Sequence, residues 1–183
     1  MLALFQRRAD LTRAVGLDLS ERMLALCREK LDRRGLGGRV ELVCADAAAT
    51  PFSDGAFDAV TTAFGIRNAT SAQAILREIH RILRPGGIVL ILEFSLPKNR
   101  IVRGCHLKYL RLVVPAVGAL VSGDRCAYRY LHESIEDFCR TQDLPASIRQ
   151  TGFDEVSVIP LTFGIASIYM GVKACAARTG SLG

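Results

Sequence analysis

The sequence lacks tryptophan, and aromatic residues make up only 7% of its 183 residues. Its longest apolar run, Leu112–Val121, is ten residues and contains Pro115 and Gly118, far short of the roughly 20 residues of a membrane-spanning helix. Met1–Arg8 is too short in apolar residues to be a signal peptide. The six cysteines include no C-x-x-C pair, which favours reduced, buried thiols over a disulfide or zinc framework. These absences predict a cytoplasmic protein, either soluble or peripheral at a membrane.

Acidic residues are also absent from Phe94 to Gly123, in a chain whose formal net charge is +6. Basic side chains alternate there with apolar ones, and the cations are Lys98, Arg100, Arg103, Lys108 and Arg111. The interleaved apolar residues favour a membrane surface or an apolar-tailed substrate over nucleic acid. The alternative is an ordinary solvated helix face.

Apolar patterning predicts strands alternating with helices. The strands are Ala14–Leu17, Val40–Ala45, Phe57–Thr62 and Ile88–Phe94, the last apolar enough to be buried on both faces. One helix is capped by Ser20 and striped by Met23, Leu24, Cys27 and Leu31; Gly35 and Gly37-Gly38 end it. A second is capped by Thr70 or Ser71, carries Ile75, Ile79, Ile82 and Leu83, and stops at Pro85-Gly86-Gly87.

This alternation predicts a single α/β domain, residues 1–183, built on a mostly parallel sheet with ligands at the carboxyl ends of its strands. Residues 98–150 instead indicate helices and loops, a helical insertion before the end of the sheet. The strands Val156–Leu161 and Ile165–Lys173 are too closely linked to be parallel, so they predict a terminal antiparallel hairpin.

Two acids stand at the ends of neighbouring predicted strands. Asp18 closes the first strand, where an acid can accept hydrogen bonds from the hydroxyls of a ribose. Asp46 closes the second and is followed by Ala47, a small residue that leaves room for an adenine ring. Asp18 could alternatively do no more than cap the following helix. Together the two acids favour a nucleoside site.

Short motifs in sequence order resemble the class I S-adenosylmethionine methyltransferases, with their Rossmann-like sheet. They are V-G-L-D-L-S from Val15, C-A-D-A from Cys44, P-F-S-D-G from Pro51 and L-R-P-G-G from Leu83. Further blocks resemble the ubiquinone/menaquinone biosynthesis C-methyltransferases: F-G-I-R-N from Phe64, L-E-F-S-L-P from Leu92, A-Y-R-Y-L-H from Ala127 and T-F-G-I-A from Thr162. The narrower resemblance covers nearly the whole chain, from about residue 1 to residue 174.

The resemblance implies S-adenosylmethionine as cofactor, with Asp18 at its ribose and Asp46 and Ala47 around its adenine. Ala63 matches a position where the family often has a serine that touches the cofactor. The family begins with a strand and a Gly-rich loop, whereas the first glycine here is Gly16. Met1–Arg8 resembles the second half of the helix after that loop. We therefore expect a methyltransferase domain without its first strand, completed by an upstream segment, a homodimer or another chain.

The implied reaction methylates a ring carbon of a polyprenylated quinol, in menaquinone or ubiquinone biosynthesis. Arg67 is then expected to stabilise a developing phenolate and Asn68 to add a donor, because a guanidinium is almost never a base. His132 is the candidate for proton transfer, and Tyr109, Tyr128 and Tyr130 are candidates for covering the substrate tail in the insertion. No metal-ligand spacing occurs in the sequence, and the chemistry requires no metal. Two alternatives are a non-catalytic quinone- or partner-binding remnant and a nicotinamide oxidoreductase.

Overall fold

The computed structural model describes residues 13–109, 111 and 125–175, with only the backbone described for 125–132. Met1–Arg8 and Leu112–Val121 lie outside these residues. The structure therefore does not test the expected half-helix at Met1–Arg8, the absence of a first strand and Gly-rich loop, or the segment expected to complete the domain. The chain divides into two compact units, Met1–Phe52 and Ser53–Gly183. The prediction that residues 1–183 form a single domain stays a prediction.

The first unit contains strand β1 (Ala14–Asp18), helix α1 (Glu21–Asp32) and strand β2 (Val40–Cys44). The two strands are parallel, with Asp18 opposite Cys44. Ser20 caps α1 as predicted, because its hydroxyl accepts a hydrogen bond from Met23 N at 3.3 Å. Gly35 follows the helix with φ +65°, a conformation that glycine adopts without strain.

Leu31 and Val40 form the buried centre of the first unit, and Ala14, Cys27, Leu36 and Leu42 pack against them. Leu24 is buried too, so the helical stripe points largely inward as predicted. Met23 departs from it, because its side chain is 54% exposed. A step of one residue turns the helix by about 100°, and this carries Met23 away from the face that Leu24 buries.

The second unit is built on a four-stranded sheet. Its strands are β3 (Phe57–Ala63), β4 (Leu83–Phe94), β5 (Phe153–Leu161) and β6 (Ala166–Lys173), in the spatial order β3-β4-β6-β5. β3 and β4 are parallel, whereas β6 runs antiparallel to both β4 and β5. The predicted terminal hairpin is therefore confirmed.

The junction between helix α2 (Ala72–Ile82) and β4 differs from the prediction. Ser71 caps this helix through Ala74 N, as expected, but Pro85-Gly86-Gly87 does not end it. The helix ends at Ile82, and β4 begins at once with the buried Leu83. Leu83 pairs with Phe57 and Ile88 with Ala59, so the Pro-Gly-Gly segment bulges out of the strand. Because Leu83 is buried in the core, β4 begins five residues before Ile88, the predicted start of the strand.

Burial of β4 is also less symmetrical than predicted. Val89 and Ile91 are 0% exposed, while Ile88, Leu90 and Leu92 on the opposite face are half-buried. One face of the strand meets the main core and the other is only partly covered. The prediction of burial on both faces is therefore wrong for the second face.

Helices fill the described part of residues 98–150, as predicted: α3 (Arg100–Lys108), α4 (Arg125–Thr141) and α5 (Leu144–Gln150). Of these, α4 and α5, together with α2, supply one side of the core. Its members are Ile66, Leu76, Ile79, Leu83, Val89, Ile91, Phe138, Leu144, Ile148, Phe153 and Tyr169.

The cysteines are less buried than the sequence suggests. Cys44, Cys105 and Cys175 are exposed, and Cys27 and Cys139 are half-buried, all as free thiols. The expectation of buried thiols is wrong for the exposed three. Cys44 is the last residue of β2, Cys105 lies on the exposed face of α3, and Cys175 follows the end of β6.

Candidate active site

In the first unit, Asp18 is held at the carboxyl end of β1 with one oxygen already used. Its Oδ1 accepts a hydrogen bond from Ser20 N at 2.8 Å, and its side chain is half-buried. Ser20, not Asp18, provides the side-chain cap of α1, while Asp18 holds the backbone N–H of this cap residue. Within the described residues, Oδ2 of Asp18 has no protein partner, so its role as a ligand acceptor stays a prediction.

Asp46 lies beyond the end of β2, next to β1 in the two-stranded sheet. Its Oδ1 accepts from Ala48 N at 2.8 Å, which fixes a tight turn with the half-buried Ala47 inside it. Ala45 N donates to Asp18 O at 3.2 Å, so the two acid-bearing strand ends are hydrogen-bonded neighbours. The two oriented carboxylates can accept hydrogen bonds from the hydroxyl groups of a ribose and from the amino group of an adenine. Ala47, the small residue in the turn after β2, leaves room for the adenine ring.

In the second unit, Arg67 follows β3 in the short helical turn Ile66–Asn68. Its side chain is 9% exposed, and its Nη1 donates to Glu93 Oε1 at 2.8 Å and to Phe64 O at 2.8 Å. The guanidinium carbon lies 5.2 Å from the ring centroid of Phe94 and 6.0 Å from that of Phe64. The guanidinium is thus held by a carboxylate, a carbonyl and two aromatic rings rather than lying free in a loop.

The ion pair between Arg67 and Glu93 is incompletely bonded. Both hydrogen bonds to Glu93, from Arg67 Nη1 and from Phe94 N at 3.0 Å, end on Oε1. Buried Glu93 Oε2 and Arg67 Nε have no partner in the described part of the chain. Buried polar atoms are usually satisfied, so the unpaired acceptor Oε2 and the unpaired donor Nε are exceptions in the described core.

Polar groups from α4 and β6 surround this pair. Cys139 Sγ lies 3.5 Å from Phe94 O, and burial, followed by the charge of Glu93, raises the pKa of its thiol to about 11. Burial, followed by Cys139, also raises the pKa of Tyr169. Ser95 Oγ lies 2.8 Å from Ser167 Oγ and donates to Gly164 O at 2.9 Å. At neutral pH the thiol and the phenol are therefore protonated.

The structure places the other predicted residues less decisively. Asn68 and Ala63 are exposed near the end of β3, and Tyr109, just after α3, is 53% exposed. The side chains of Tyr128, Tyr130 and His132 lie outside the described residues, although their backbone belongs to α4. The predicted roles of these residues stay predictions.

Glu93 is the residue that the sequence reasoning missed. It is 0% exposed and follows the apolar segment 88–92 as the second-to-last residue of β4. The signal was an acid within an otherwise apolar strand, since buried carboxylates are rare unless they are paired. The motif L-E-F-S-L-P contained it, but no role was assigned to it.

A model of the ubiE/COQ5 methyltransferase family matches residues 2–173. The chain belongs to this family. It is therefore a methyltransferase, and the α/β sheet with a terminal antiparallel hairpin is the fold of a ubiE/COQ5 member. The predicted recognition and fold class are confirmed.

Curated relatives extend the match over most of the chain. The ubiquinone/menaquinone biosynthesis C-methyltransferase UbiE of Dinoroseobacter shibae is 41% identical over 169 residues, which are 92% of this chain and 68% of the relative. The demethylmenaquinone methyltransferase of Thermus thermophilus is 43% identical over 168 residues, 92% of this chain and 75% of the relative.

A solved structure supports the fold independently. An O-methyltransferase family protein from Burkholderia thailandensis superposes with a TM-score of 0.62 at 20% identity, over 96% of this chain and 48% of that one. Among the described residues, no cluster of three or more His, Cys, Asp or Glu side chains could hold a metal ion. In the same part of the chain, no helix has the length and apolarity to cross a bilayer.

Proposed function

We propose that this ubiE/COQ5 family member transfers a methyl group from S-adenosylmethionine to a ring carbon of a polyprenylated quinol. The observation that carries the proposal is the 41% to 43% identity to C-methyltransferases of quinone biosynthesis across 92% of the chain. When bound, the cofactor supplies a methyl group on a sulfonium, an electrophile that needs an electron-rich carbon in line with it.

Four residues are proposed to hold the cofactor. Asp18 accepts from the ribose hydroxyls with the oxygen that Ser20 leaves unused, and Asp46 accepts from the adenine amino group. Ala47 and Ala63 are small enough for the cofactor to lie against their backbone. The support is the hydrogen bond from a backbone N–H to Oδ1 of each carboxylate at 2.8 Å, which holds the side chain and leaves its other oxygen unused.

Arg67 is proposed to make the ring electron-rich. A guanidinium stays charged at any physiological pH, so it stabilises a ring hydroxyl as it loses its proton. Asn68 adds a neutral donor beside it, and His132 is a candidate for proton transfer. Holding the ring carbon about 3–3.5 Å from the methyl group is itself worth roughly 7–11 kcal/mol of barrier. Tyr109, Tyr128 and Tyr130 are proposed to cover the substrate tail.

A membrane surface is the proposed source of this substrate. Ile101, 77% exposed, stands on the outer face of α3 with the exposed cations Lys98, Arg100 and Lys108 nearby in sequence. Arg103 is half-buried, and Arg111 donates to both oxygens of Glu136 at 3.0 and 2.7 Å. Three of the five predicted cations, around an exposed apolar side chain, therefore form the face proposed to meet anionic lipid; we call Lys98, Arg100, Ile101 and Lys108 the α3 face.

The test is an anaerobic methylation assay with the purified protein, methyl-labelled S-adenosylmethionine and two short-chain substrates, a demethylmenaquinol and a methoxy-prenyl-benzoquinol. We expect label in one or both quinols, recovered as a product heavier by one methyl group. The oxidised quinones are the control and should stay unlabelled, because their rings are electron-poor. A folded protein that labels neither quinol would refute the proposal.

A further inference from the structure

The methylation mechanism lacks a proton acceptor among the residues that the sequence suggested and the structure describes. Arg67 stabilises negative charge on a ring oxygen but cannot take the proton, since a guanidinium stays protonated. Burial keeps Cys139 and Tyr169 protonated as well, because the pKa of each is raised. Among the side chains that the structure describes, the titratable groups facing Glu93 from the neighbouring elements are Arg67 after β3, Cys139 on α4 and Tyr169 on β6. None of them accepts a proton at neutral pH.

Glu93 is placed to do so. It is a fully buried carboxylate whose Oε1 carries both of its hydrogen bonds, which leaves Oε2 as an unpaired acceptor. Arg67 Nε is an unpaired buried donor in the same ion pair. A bidentate Arg–carboxylate pair would satisfy more of these atoms, so the single contact leaves Glu93 Oε2 as an acceptor for a small molecule that can donate to it. A water or a hydroxyl group is such a molecule.

We propose that Glu93 accepts the proton of the substrate's ring hydroxyl at Oε2, through a water that donates to this oxygen. This inference rests on the proposed function. Arg67 is then the group that stabilises the ring oxygen, and the water connects this oxygen to Glu93.

The proton transfer balances as follows. The ring O–H bond breaks, its electron pair stays on the ring oxygen, and its proton reaches Glu93 Oε2 as the water passes on one of its own protons. The ring carbon then forms its bond to the methyl group and loses its hydrogen as a proton when the ring becomes aromatic again. Glu93 returns its proton to the ring oxygen through the same water. One proton in total leaves to solvent.

The central experiment compares Glu93→Gln with the wild type in the quinol assay between pH 6.5 and 9. At neutral pH we expect the variant to lose about a hundredfold or more in kcat, within the usual contribution of a general base. We further expect its rate to rise about tenfold per pH unit, because bulk solvent must now ionise the ring hydroxyl, while the wild-type profile stays flat. Glu93→Asp should recover part of the rate at neutral pH.

A spectroscopic readout separates proton transfer from structural damage. The probe is 4-methoxy-1-naphthol, whose ionised form absorbs at longer wavelength than its neutral form. Bound to the wild type at pH 7 it should show the ionised band, and bound to Glu93→Gln the neutral one. Circular dichroism and calorimetric titration with S-adenosylmethionine should show a folded variant of unchanged cofactor affinity. If Glu93→Gln does not fold, Glu93→Asp is compared by the same band and pH profile.

Cys139→Ala is the matched control, because it alters the neighbouring buried group without removing a proton acceptor. It should retain the flat pH profile and the ionised band. The proposal would be overturned by a Glu93→Gln variant that keeps the wild-type pH profile and the ionised naphthol band. It would also be overturned if Cys139→Ala lost both the flat pH profile and the ionised band. Absence of methylation by the wild type would instead refute the proposed function and leave the naphthol band to decide the role of Glu93.

Discussion

Asp18 and Asp46 each use one carboxylate oxygen to hold a backbone N–H at 2.8 Å, but their surroundings differ. Asp18 is half-buried and Asp46 is exposed. Water competes less well for the unused oxygen of Asp18, so a hydrogen bond there should contribute more to binding. The ribose contact is therefore expected to be the stronger of the two proposed carboxylate contacts.

We predict that Asp18→Asn weakens binding of S-adenosylmethionine by about ten- to a hundredfold, since hydrogen bonds to charged groups are worth about 1.5–3 kcal/mol. The amide keeps an oxygen for Ser20 N, so the turn after β1 should persist. Calorimetric titration measures the affinity. Asp54→Asn, which removes an exposed partner of Arg81, is the control and should bind like the wild type. Equal affinity of Asp18→Asn and the wild type would contradict the ribose role.

At the scale of single residues, the sequence could predict that Asp18 and Asp46 stand at the ends of neighbouring strands, but not the ion pair of Arg67. The acids stand at strand ends, and strand ends follow from local apolar patterns. Arg67 meets Glu93 across 26 residues of sequence, and this contact exists only because β3 and β4 are parallel neighbours. Local spacing does not contain such a contact, so neither the partner of Arg67 nor the burial of Glu93 could be predicted from it.

Among the elements, α3 shows a clear division between its faces. His106 is buried, whereas Arg100, Ile101 and Lys108 are exposed. Asn99 caps the helix through the N–H groups of Ile101 and Val102, which fixes where the helix begins. The α3 face is thereby held on a defined surface rather than on a loose tail.

We predict that replacing Lys98, Arg100 and Lys108 by Gln reduces binding to anionic vesicles at least tenfold, since each cation near such a surface contributes about 1 kcal/mol. Sedimentation with vesicles containing phosphatidylglycerol, at low and high salt, measures the effect. The control replaces three other exposed arginines, Arg77, Arg140 and Arg149, with the same change in charge. Equal loss in both triple variants, or no binding by the wild type, would make the α3 face an ordinary solvated surface.

The junction of α2 and β4 illustrates what element boundaries require beyond local signals. Pro-Gly-Gly is a strong stop for a helix, and it was predicted to mark one. The helix ends earlier because Leu83 is buried in the core, where it pairs with Phe57. The two glycines lie in the bulge of β4 between Leu83 and Ile88. A Cβ on Gly87 would lie 2.8 Å from Arg84 O, so this position needs glycine for close packing within the strand.

At the scale of the whole molecule, stability is linked to pH by two of the described side chains, the half-buried His80 and the buried His106. Burial, followed by the charge of Lys173, lowers the pKa of His80 below its ordinary 6.5, and burial lowers that of His106. Their neutral forms are thus favoured in the folded chain. The corresponding stability is fully present above pH 6.5 and is lost as the pH falls below it, because the unfolded chain binds the protons first.

We predict that the free energy of unfolding, measured by urea denaturation, decreases from pH 7.5 to pH 5.5. Carboxylates remain largely ionised over this range, so the histidines should dominate the change. A double variant, His80→Gln with His106→Gln, should show a smaller difference between the two pH values than the wild type. An undiminished difference would mean that other groups cause it.

The position of β6 between β4 and β5 has a consequence during synthesis. β4 and its parallel neighbour β3 are both complete once Phe94 has been made, but the other edge of β4 waits for Ala166. At about 5–20 residues per second, the intervening 70 or so residues take roughly 4–14 seconds. Throughout that time an apolar strand edge on the nascent chain is open to wrong partners. A holding chaperone would therefore protect this protein most while the edge of β4 is outside the ribosome and β6 has not yet paired with it.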